Sequence, residues 1–478
     1  MRVRTRFAPS PTGYLHIGGL RTALYAYLWA KKNGGDFILR IEDTDRNRLV
    51  EDACEIIYRT LKDTGLVYDE GPDVGGDYGP YIQSERKQLY IDTAKELVER
   101  GAAYYCFCTK ERLQKLHEDA GGAAVKYDKH CLSLSKEEVE RRIAAGEEYV
   151  IRQNIGTEGT AEYDDLVYGH ISVPLADMED QILLKSDGMP TYNLANVVDD
   201  HYMKISHVIR GMEYLSSTPK YNMLYDALGW ERPVYIHLPP VMKDKTRKLS
   251  KRYGDASYED FIGKGYLKEA VINYIALLGW NPGDNREIFT LEELTEAFDL
   301  KGISKSPSIF DNDKLTWMNA EYIRAMDDET FKKKAAPYVV SSVGEGFDLD
   351  IIAGLIKPRI ETWNQIGEMI GFLRDLPEYD TSFFFNKKTK CTPEKSVDML
   401  IAAKEELEKL RAFDVVSIHD SMIALAEKLE VKNGLLLWPL RIALSGQLVT
   451  PGGAIEIAAL LGKEESIRRI DKALSMLS

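Results

Sequence analysis

The sequence predicts a doubly wound α/β sheet, interrupted by a long insertion and followed by a helical half. Three observations predict it. The first residues read strand, glycine-containing loop, helix, strand; the same rhythm returns near residue 190; and beyond about Asp244 the pattern becomes helical.

Taken in order, Val3 to Ala8 alternates polar and apolar residues, and Pro9-Ser10-Pro11-Thr12-Gly13 cannot continue a central strand. Gly18 to Lys32 predicts a helix with Leu20, Ala23, Leu24, Tyr27 and Leu28 on one face, stopped by Asn33-Gly34-Gly35. Phe37 to Ile41 is a short strand of apolar residues and one arginine, as buried parallel sheets use. From about Pro80 to Pro190 runs a mixed insert with three of the five cysteines. Ile182-Leu183-Leu184 then predicts a strand, Tyr192 to Val198 a helix and His207-Val208-Ile209 a strand, as if the parallel sheet resumes.

The helical half opens with Thr290-Leu291-Glu292-Glu293, which has capping-box form. Ile351, Leu355, Ile356, Ile360, Trp363, Ile366 and Ile370 lie near helical spacing, with Pro358 starting a new helix or kinking this one. Cys391-Thr392-Pro393 opens another helix, and Leu435 to Leu461 predicts two more around Pro451-Gly452-Gly453.

Composition bounds the function. A chain of 478 residues suits about three domains, and 44% hydrophobic with 29% charged residues is ordinary for a globular protein. Neither a signal peptide nor a membrane span is predicted. Five cysteines do not suggest a disulfide scaffold, which points to a reducing cytoplasm. The net charge of −14 confines any RNA-binding surface to a local basic stripe.

Two segments carry chemistry. His16-Ile17-Gly18-Gly19 sits between the first strand and its helix, where backbone N–H groups and the helix dipole attract anions. Glycines there admit a base or phosphate close to the backbone, and the histidine can donate to a phosphate oxygen. Lys248-Leu249-Ser250-Lys251-Arg252 offers lysines three apart, able to neutralise a pentacovalent phosphate and its pyrophosphate leaving group. Each segment alone is more often an ordinary helix start or a solvated basic turn.

Together they resemble the two signatures of class I aminoacyl-tRNA synthetases. The likeness to the glutamyl branch is closer: Arg6 to Gly13, Arg40 to Asp45, Tyr192 to His201, Phe310-Asp311 and Leu315 to Asn319 resemble that branch's signature stretches, in order along the chain. The resemblance implies a Rossmann-type catalytic domain with an acceptor-binding insertion, then a helical stem-contact region and an all-α anticodon-binding region. The corresponding segments are 1–80 and 191–243 for the two catalytic halves, 81–190 for the insertion, 244–326 for stem contact and 327–478 for the anticodon. It implies ATP with Mg2+, L-glutamate and the glutamate tRNA as partners, and a monomer. His16, Gly18, Gly19, Lys248, Ser250 and Lys251 then bind ATP, with His16, Lys248 and Lys251 catalytic.

Glutamate carries two carboxylates and an ammonium, so its pocket needs arginine forks and an acid. By resemblance Arg6, Ser10, Glu42, Tyr192, Asn196 and Arg210 surround it. Glu42 and Ser10 are expected to hold the ammonium and the two arginines the carboxylates. No general base is needed, because the attacking carboxylate is already ionised at neutral pH. Cys106, Cys108 and Cys131 could hold a structural zinc ion with a fourth ligand. Relatives place a histidine where this chain has Ser133, which leaves Tyr127 or its neighbour His130, and some close relatives use a tyrosine at the spacing of Tyr127. Arg359 and Arg441 fall where the family places arginines beside anticodon bases. Arg359 leans towards restriction to the glutamate tRNA. A glutaminyl enzyme would bring a strand-rich carboxy-terminal half, and a non-catalytic homologue would be expected to lose His16 or the lysines.

Overall fold

The computed structural model describes residues 2–45, 50, 52–119, 126–247, 249 and 257–478. The chain forms two compact units, Met1–Phe261 with Val271–Asp311 and Ile262–Ala270 with Asn312–Ser478.

The strands of the first unit are β1 (Arg4–Phe7), β2 (Asp36–Leu39), β3 (Ala103–Cys106), β4 (Val150–Gln153), β5 (Thr160–Asp165) and β6 (Gly169–Pro174). They continue with β7 (Ile182–Leu184), β8 (His207–Gly211), β9 (Val234–Leu238), β10 (Val241–Met242) and β11 (Ser308–Ile309). β1 and β2 pair in parallel, with Arg4 opposite Asp36 and Phe7 opposite Leu39. The connection between them is the helix Ile17–Lys32. It stops where the sequence predicts, because a Cβ on Gly35 would lie 2.0 Å from the Val3 carbonyl oxygen. Only glycine lets the chain turn back there.

β8 and β9 form the second parallel pair, and the order in their sheet is β6-β5-β9-β8. Ser206 N–H donates to the Arg4 carbonyl at 2.9 Å, which sets the start of β8 against β1. Strands buried on both faces explain the near-continuous apolar runs. Leu194, Ala195, Val197 and Val198 of the helix Tyr192–Tyr202 pack with Tyr90, Leu183 and Leu224, in a cluster that includes Ala103 and Ile151 of β3 and β4.

Two details differ from expectation. β7 does not resume the parallel sheet: it pairs antiparallel with β4, inside the insert's own sheet β3-β4-β7. Three apolar residues carry no periodicity that could say which sheet they join. Conversely the insert is not separate from the main sheet, since Asp165 of β5 bridges Tyr235 of β9 in parallel.

The second unit is built of helices, among them Asn312–Ala325, Asp328–Val343, Pro393–Lys409, Val415–Lys428 and Asn433–Ser445. Its described residues add only an isolated bridge, Asn386 to Cys391. Leu400, Leu407, Ile418, Met422, Leu436 and Leu440 are fully buried in its core, each contributing roughly 1.5–3 kcal/mol of transfer free energy. The run around Pro358 divides as the proline requires, into Leu349–Ile356 and Gln365–Ile370. The last helix runs on to Leu477, bent at Gly462 with φ 77°. Thr290 and Glu293 form the expected capping box, with reciprocal bonds of 3.2 and 2.8 Å.

Candidate functional site

His16 is the N-cap of the helix Ile17–Lys32, and its Nδ1 accepts from the Gly18 N–H at 3.0 Å. The ring therefore occupies one of the helix-end donors that the sequence alone would leave to a ligand. An accepting Nδ1 places the proton on Nε2, so the outer nitrogen is a donor. A Cβ on Gly18 would meet nothing closer than His16 Nδ1 at 3.4 Å. The chain's own packing thus does not demand glycine there.

Lys248, Ser250 and Lys251 lie outside the described residues. Their described neighbours are placed: Leu249 N–H donates to the Val241 carbonyl at 3.1 Å, and Ser257 forms an antiparallel bridge with His16.

Below the strand ends lies a buried ion network. Arg6 forks onto Asp200 at 3.0 and 3.2 Å. Arg40 reaches Asp200 at 2.7 Å and Glu42 at 3.0 Å, and Arg86 reaches Asp199 at 2.7 Å. Gln83 and Tyr90 each donate to Asp199 at 2.8 Å. Three arginines face three carboxylates, so the formal charges cancel, as desolvated ions require. Burial tends to raise the Asp200 carboxyl, but Arg6 and Arg40 outweigh it and hold it below the usual carboxylate range. Burial raises Glu42 despite Arg40, and raises Asp199 despite Arg40 and Arg86.

Arg210, at the end of β8, is different. Its Nε donates to His237 Nε2 at 3.1 Å and its Nη2 to Thr218 Oγ1 at 2.7 Å. The rings of Tyr214, Tyr221 and Tyr235 surround it at 4.9, 5.1 and 5.5 Å. No carboxylate pairs with it among the described residues. Burial works against its charge, yet Tyr192, Tyr235 and Tyr221 leave its pKa raised.

A cavity of about 530 Å³ opens above these groups, lined by Ser10, Glu42, Lys185, Tyr192 and Tyr214 among others. Glu42 Oε1 accepts from Arg40, while Oε2 has no partner among the described residues. Of the six residues expected around glutamate, Ser10, Glu42 and Tyr192 reach the wall, and Tyr214 joins Arg210 to it. Arg6 and Asn196 lie beneath: Arg6 is committed to Asp200, and Asn196 donates to the Tyr192 carbonyl at 2.5 Å. Sequence reasoning did not single out Asp199, Asp200, Lys185, Tyr214 or His237. Adjacent acids directly after the apolar run of the predicted helix Tyr192 to Val198 were the legible signal for the first two, and the helix runs on through them to Tyr202.

In the insert, Cys106, Cys108 and Cys131 bring their sulfurs within 4.8 Å of one another. Tyr127 Oη lies 3.3 Å from both Cys106 and Cys108. His130 is exposed, with its backbone N–H bonded to Asp128. Of the two candidates, Tyr127 is the one whose side chain converges on the sulfurs. Arg152 lies 4.1 Å over the Tyr127 ring and donates to Cys106 Sγ at 3.4 Å. A hydrogen bond from Cys131, opposed by burial and helped by Tyr127 and Arg152, pulls the Cys106 thiol down to about 4. Three clustered sulfurs, one of them drawn towards the thiolate, and an oxygen donor suit zinc.

In the helical unit, Arg359 is exposed and donates to the Leu355 carbonyl at 2.6 Å. Arg441 donates to Thr450 Oγ1 at 3.0 Å and the Leu448 carbonyl at 2.8 Å, and lies 4.7 Å over the Trp438 ring. The loop between them is shared, because a Cβ on Gly452 would lie 2.9 Å from Leu355 Cδ1.

Residues 2–317 match the family described as tRNA synthetases class I (E and Q), catalytic domain, and 319–474 match the anticodon binding domain. The chain belongs to the class I tRNA synthetases of the E and Q type. Within that class it is 58% identical to the glutamate–tRNA ligase of Clostridium botulinum, covering 100% of this chain and 99% of that protein. Identity to the glutamate–tRNA ligase of Clostridium kluyveri is 56%, over 100% of this chain and 98% of the relative. A crystal structure of a glutamate tRNA ligase from Elizabethkingia meningosepticum, in complex with its amino acid, superposes with TM-score 0.91 at 38% identity, covering 100% of both chains. No described helix is long and apolar enough to cross a membrane.

Proposed function

We propose that the protein is a glutamate–tRNA ligase, which activates L-glutamate with ATP and esterifies it to the 3′-terminal adenosine of the glutamate tRNA. The observation that carries the reading is a buried guanidinium with no carboxylate partner among the described residues, Arg210, beside a cavity walled by Glu42. An amino acid with a side-chain carboxylate supplies the missing anion, and its ammonium meets Glu42 Oε2 with Ser10. Arg6 acts mainly through Asp200, keeping the pocket floor neutral; that assigns the side-chain carboxylate to Arg210. Tyr192 and Asn196 order the helix start that forms one wall.

In the first step the α-carboxylate of glutamate attacks the α-phosphorus of ATP, and the bond to pyrophosphate breaks. His16 Nε2–H donates to a phosphate oxygen, and Gly18 and Gly19 admit the nucleotide against the helix start. Lys248 and Lys251 neutralise the leaving group, and Ser250 binds ATP beside them. Magnesium, as the ATP complex, supplies charge neutralisation. In the second step a terminal ribose hydroxyl attacks the mixed anhydride and AMP leaves.

A zinc ion fits Cys106, Cys108, Tyr127 and Cys131, where it would brace the insert structurally. Arg359 and Arg441 present cations beside an exposed loop for anticodon bases, and Arg359 favours restriction to the glutamate tRNA. The reading retains the division into 1–80, 81–190, 191–243, 244–326 and 327–478, and a cytoplasmic monomer. Glutamate-dependent exchange of labelled pyrophosphate into ATP, with tRNA present, tests it: the wild type exchanges, and Lys251→Ala loses exchange while still binding tRNA. A protein that binds tRNA without exchange sinks the proposal.

A further inference from the structure

We infer that Asp165 and His237 are positioning residues that aim Arg210 at the substrate's side-chain carboxylate. The inference deepens the reading just given and rests on Arg210 taking that carboxylate.

Arginine has only donors. His237 Nε2 faces Arg210 Nε at 3.1 Å, so it must be the unprotonated, accepting nitrogen. The ring proton then sits on Nδ1, which faces Asp165 Oδ2 at 2.7 Å. Asp165 is itself fixed. Its Oδ1 accepts from the N–H groups of Val167 and Tyr168 at 2.9 and 2.8 Å, and its Oδ2 from the His237 N–H at 3.1 Å. All three members are buried, His237 completely. Burial, against the pull of Asp165, keeps the imidazole below its ordinary pKa and hence neutral.

The line carboxylate, imidazole, guanidinium has one direction. Asp165 selects the tautomer, the tautomer makes Nε2 an acceptor, and the acceptor fixes the plane of the guanidinium through Nε. Thr218 holds the second edge at Nη2 while donating its own proton to the Tyr214 carbonyl at 2.7 Å. The fork is thus oriented before any substrate arrives, with Nη1 held by neither His237 nor Thr218. A carboxylate accepts from such an edge, whereas a carboxamide turned to present its NH2 meets donor with donor. The relay therefore acts on the choice of glutamate over glutamine. Asp165 belongs to β5 of the insert, so the insert contributes to the amino-acid pocket through this strand as well as through Lys185.

The test uses the full-length enzyme with saturating tRNA and ATP. His237→Phe removes the acceptor and is expected to raise the KM for glutamate roughly tenfold or more, as loss of a buried partner does, with kcat changed less. His237→Gln restores an acceptor near the Nε2 position and recovers most of that KM. Asp165→Asn raises KM when His237 is present and adds little beside His237→Gln, because glutamine needs no tautomer selection. Histidine-labelled nitrogen NMR of the wild type should show His237 with a bare Nε2, a readout that stands even if Asp165→Asn misfolds. Wild-type KM in His237→Phe, an equal Asp165→Asn effect in both backgrounds, or a protonated Nε2 overturns the relay. Arg210→Ala separates the layers. If it raises KM while the relay variants do not, the relay alone falls; if it leaves KM unchanged, the reading of the pocket falls and takes the relay with it.

Discussion

The arginines of the pocket floor and the two singled out in the helical unit are held in opposite ways. In the pocket floor Arg6, Arg40 and Arg86 are locked to Asp200, Glu42 and Asp199, so their charge is consumed inside the protein. In the helical unit Arg359 and Arg441 are held by carbonyl and hydroxyl oxygens, which orient the side chain and leave the charge for a partner. Arg210 belongs to the first region by burial and to the second by bonding. Ion pairing marks the three arginines of the pocket floor, and neutral acceptors hold the three proposed to meet a ligand. That contrast is what the variants below break or sharpen.

The largest effect is expected at the exception. Arg210→Ala should lower kcat/KM for glutamate on the order of 100-fold or more while tRNA affinity stays near wild type, as for a desolvated charge pair. Steady-state charging measures both. Removing a building partner should act on stability instead. Asp200→Ala leaves Arg6 and Arg40 short of an anion, and urea unfolding should show a loss of about 3–5 kcal/mol in the first unit. A substitution there that altered only KM would erase the distinction.

Arg441→Ala should weaken tRNA by roughly 1–3 kcal/mol, with glutamate KM unmoved. Arg359→Ala should cost less, since one carbonyl holds it against two oxygens and a ring for Arg441. Metal analysis offers a separate check on the insert: Tyr127→Phe and Cys108→Ser should both lower bound zinc, whereas His130→Ala should not.

The smallest effect is a pH slope. Burial depresses His237 below its ordinary value, and likewise His207. Between the folded and unfolded pKa values the unfolded chain binds the extra proton, so stability falls as pH drops below about 6.5. His237→Gln should flatten the slope by at most about 1.4 kcal/mol per pH unit, visible in unfolding curves between neutral and mildly acid pH.

Much of this was legible in the sequence, for reasons of period. The helices Ile17–Lys32 and Pro393–Lys409 follow from apolar spacing and caps, and Pro358 divides its run because a proline must. The membership of Ile182–Leu184 was not legible, since strand pairing is a long-range choice and three apolar residues suit either sheet. The same limit hid the site's inner layer. Arg40 was visible as a charge inside an apolar strand, but its partners lie as far as 160 residues away. His237 reads as one polar residue in Val234–Leu238, and its meaning comes from Asp165, 72 residues earlier on another strand. Resemblance supplied Arg6 and Arg210 as equals, and only the geometry separates them.

The most direct test of the central claim is charging of total bacterial tRNA with labelled glutamate and, in parallel, labelled glutamine. The account predicts esterified glutamate on the glutamate tRNA and no charging with glutamine. Charging with glutamine, or tRNA binding with no charging by either amino acid, would contradict it.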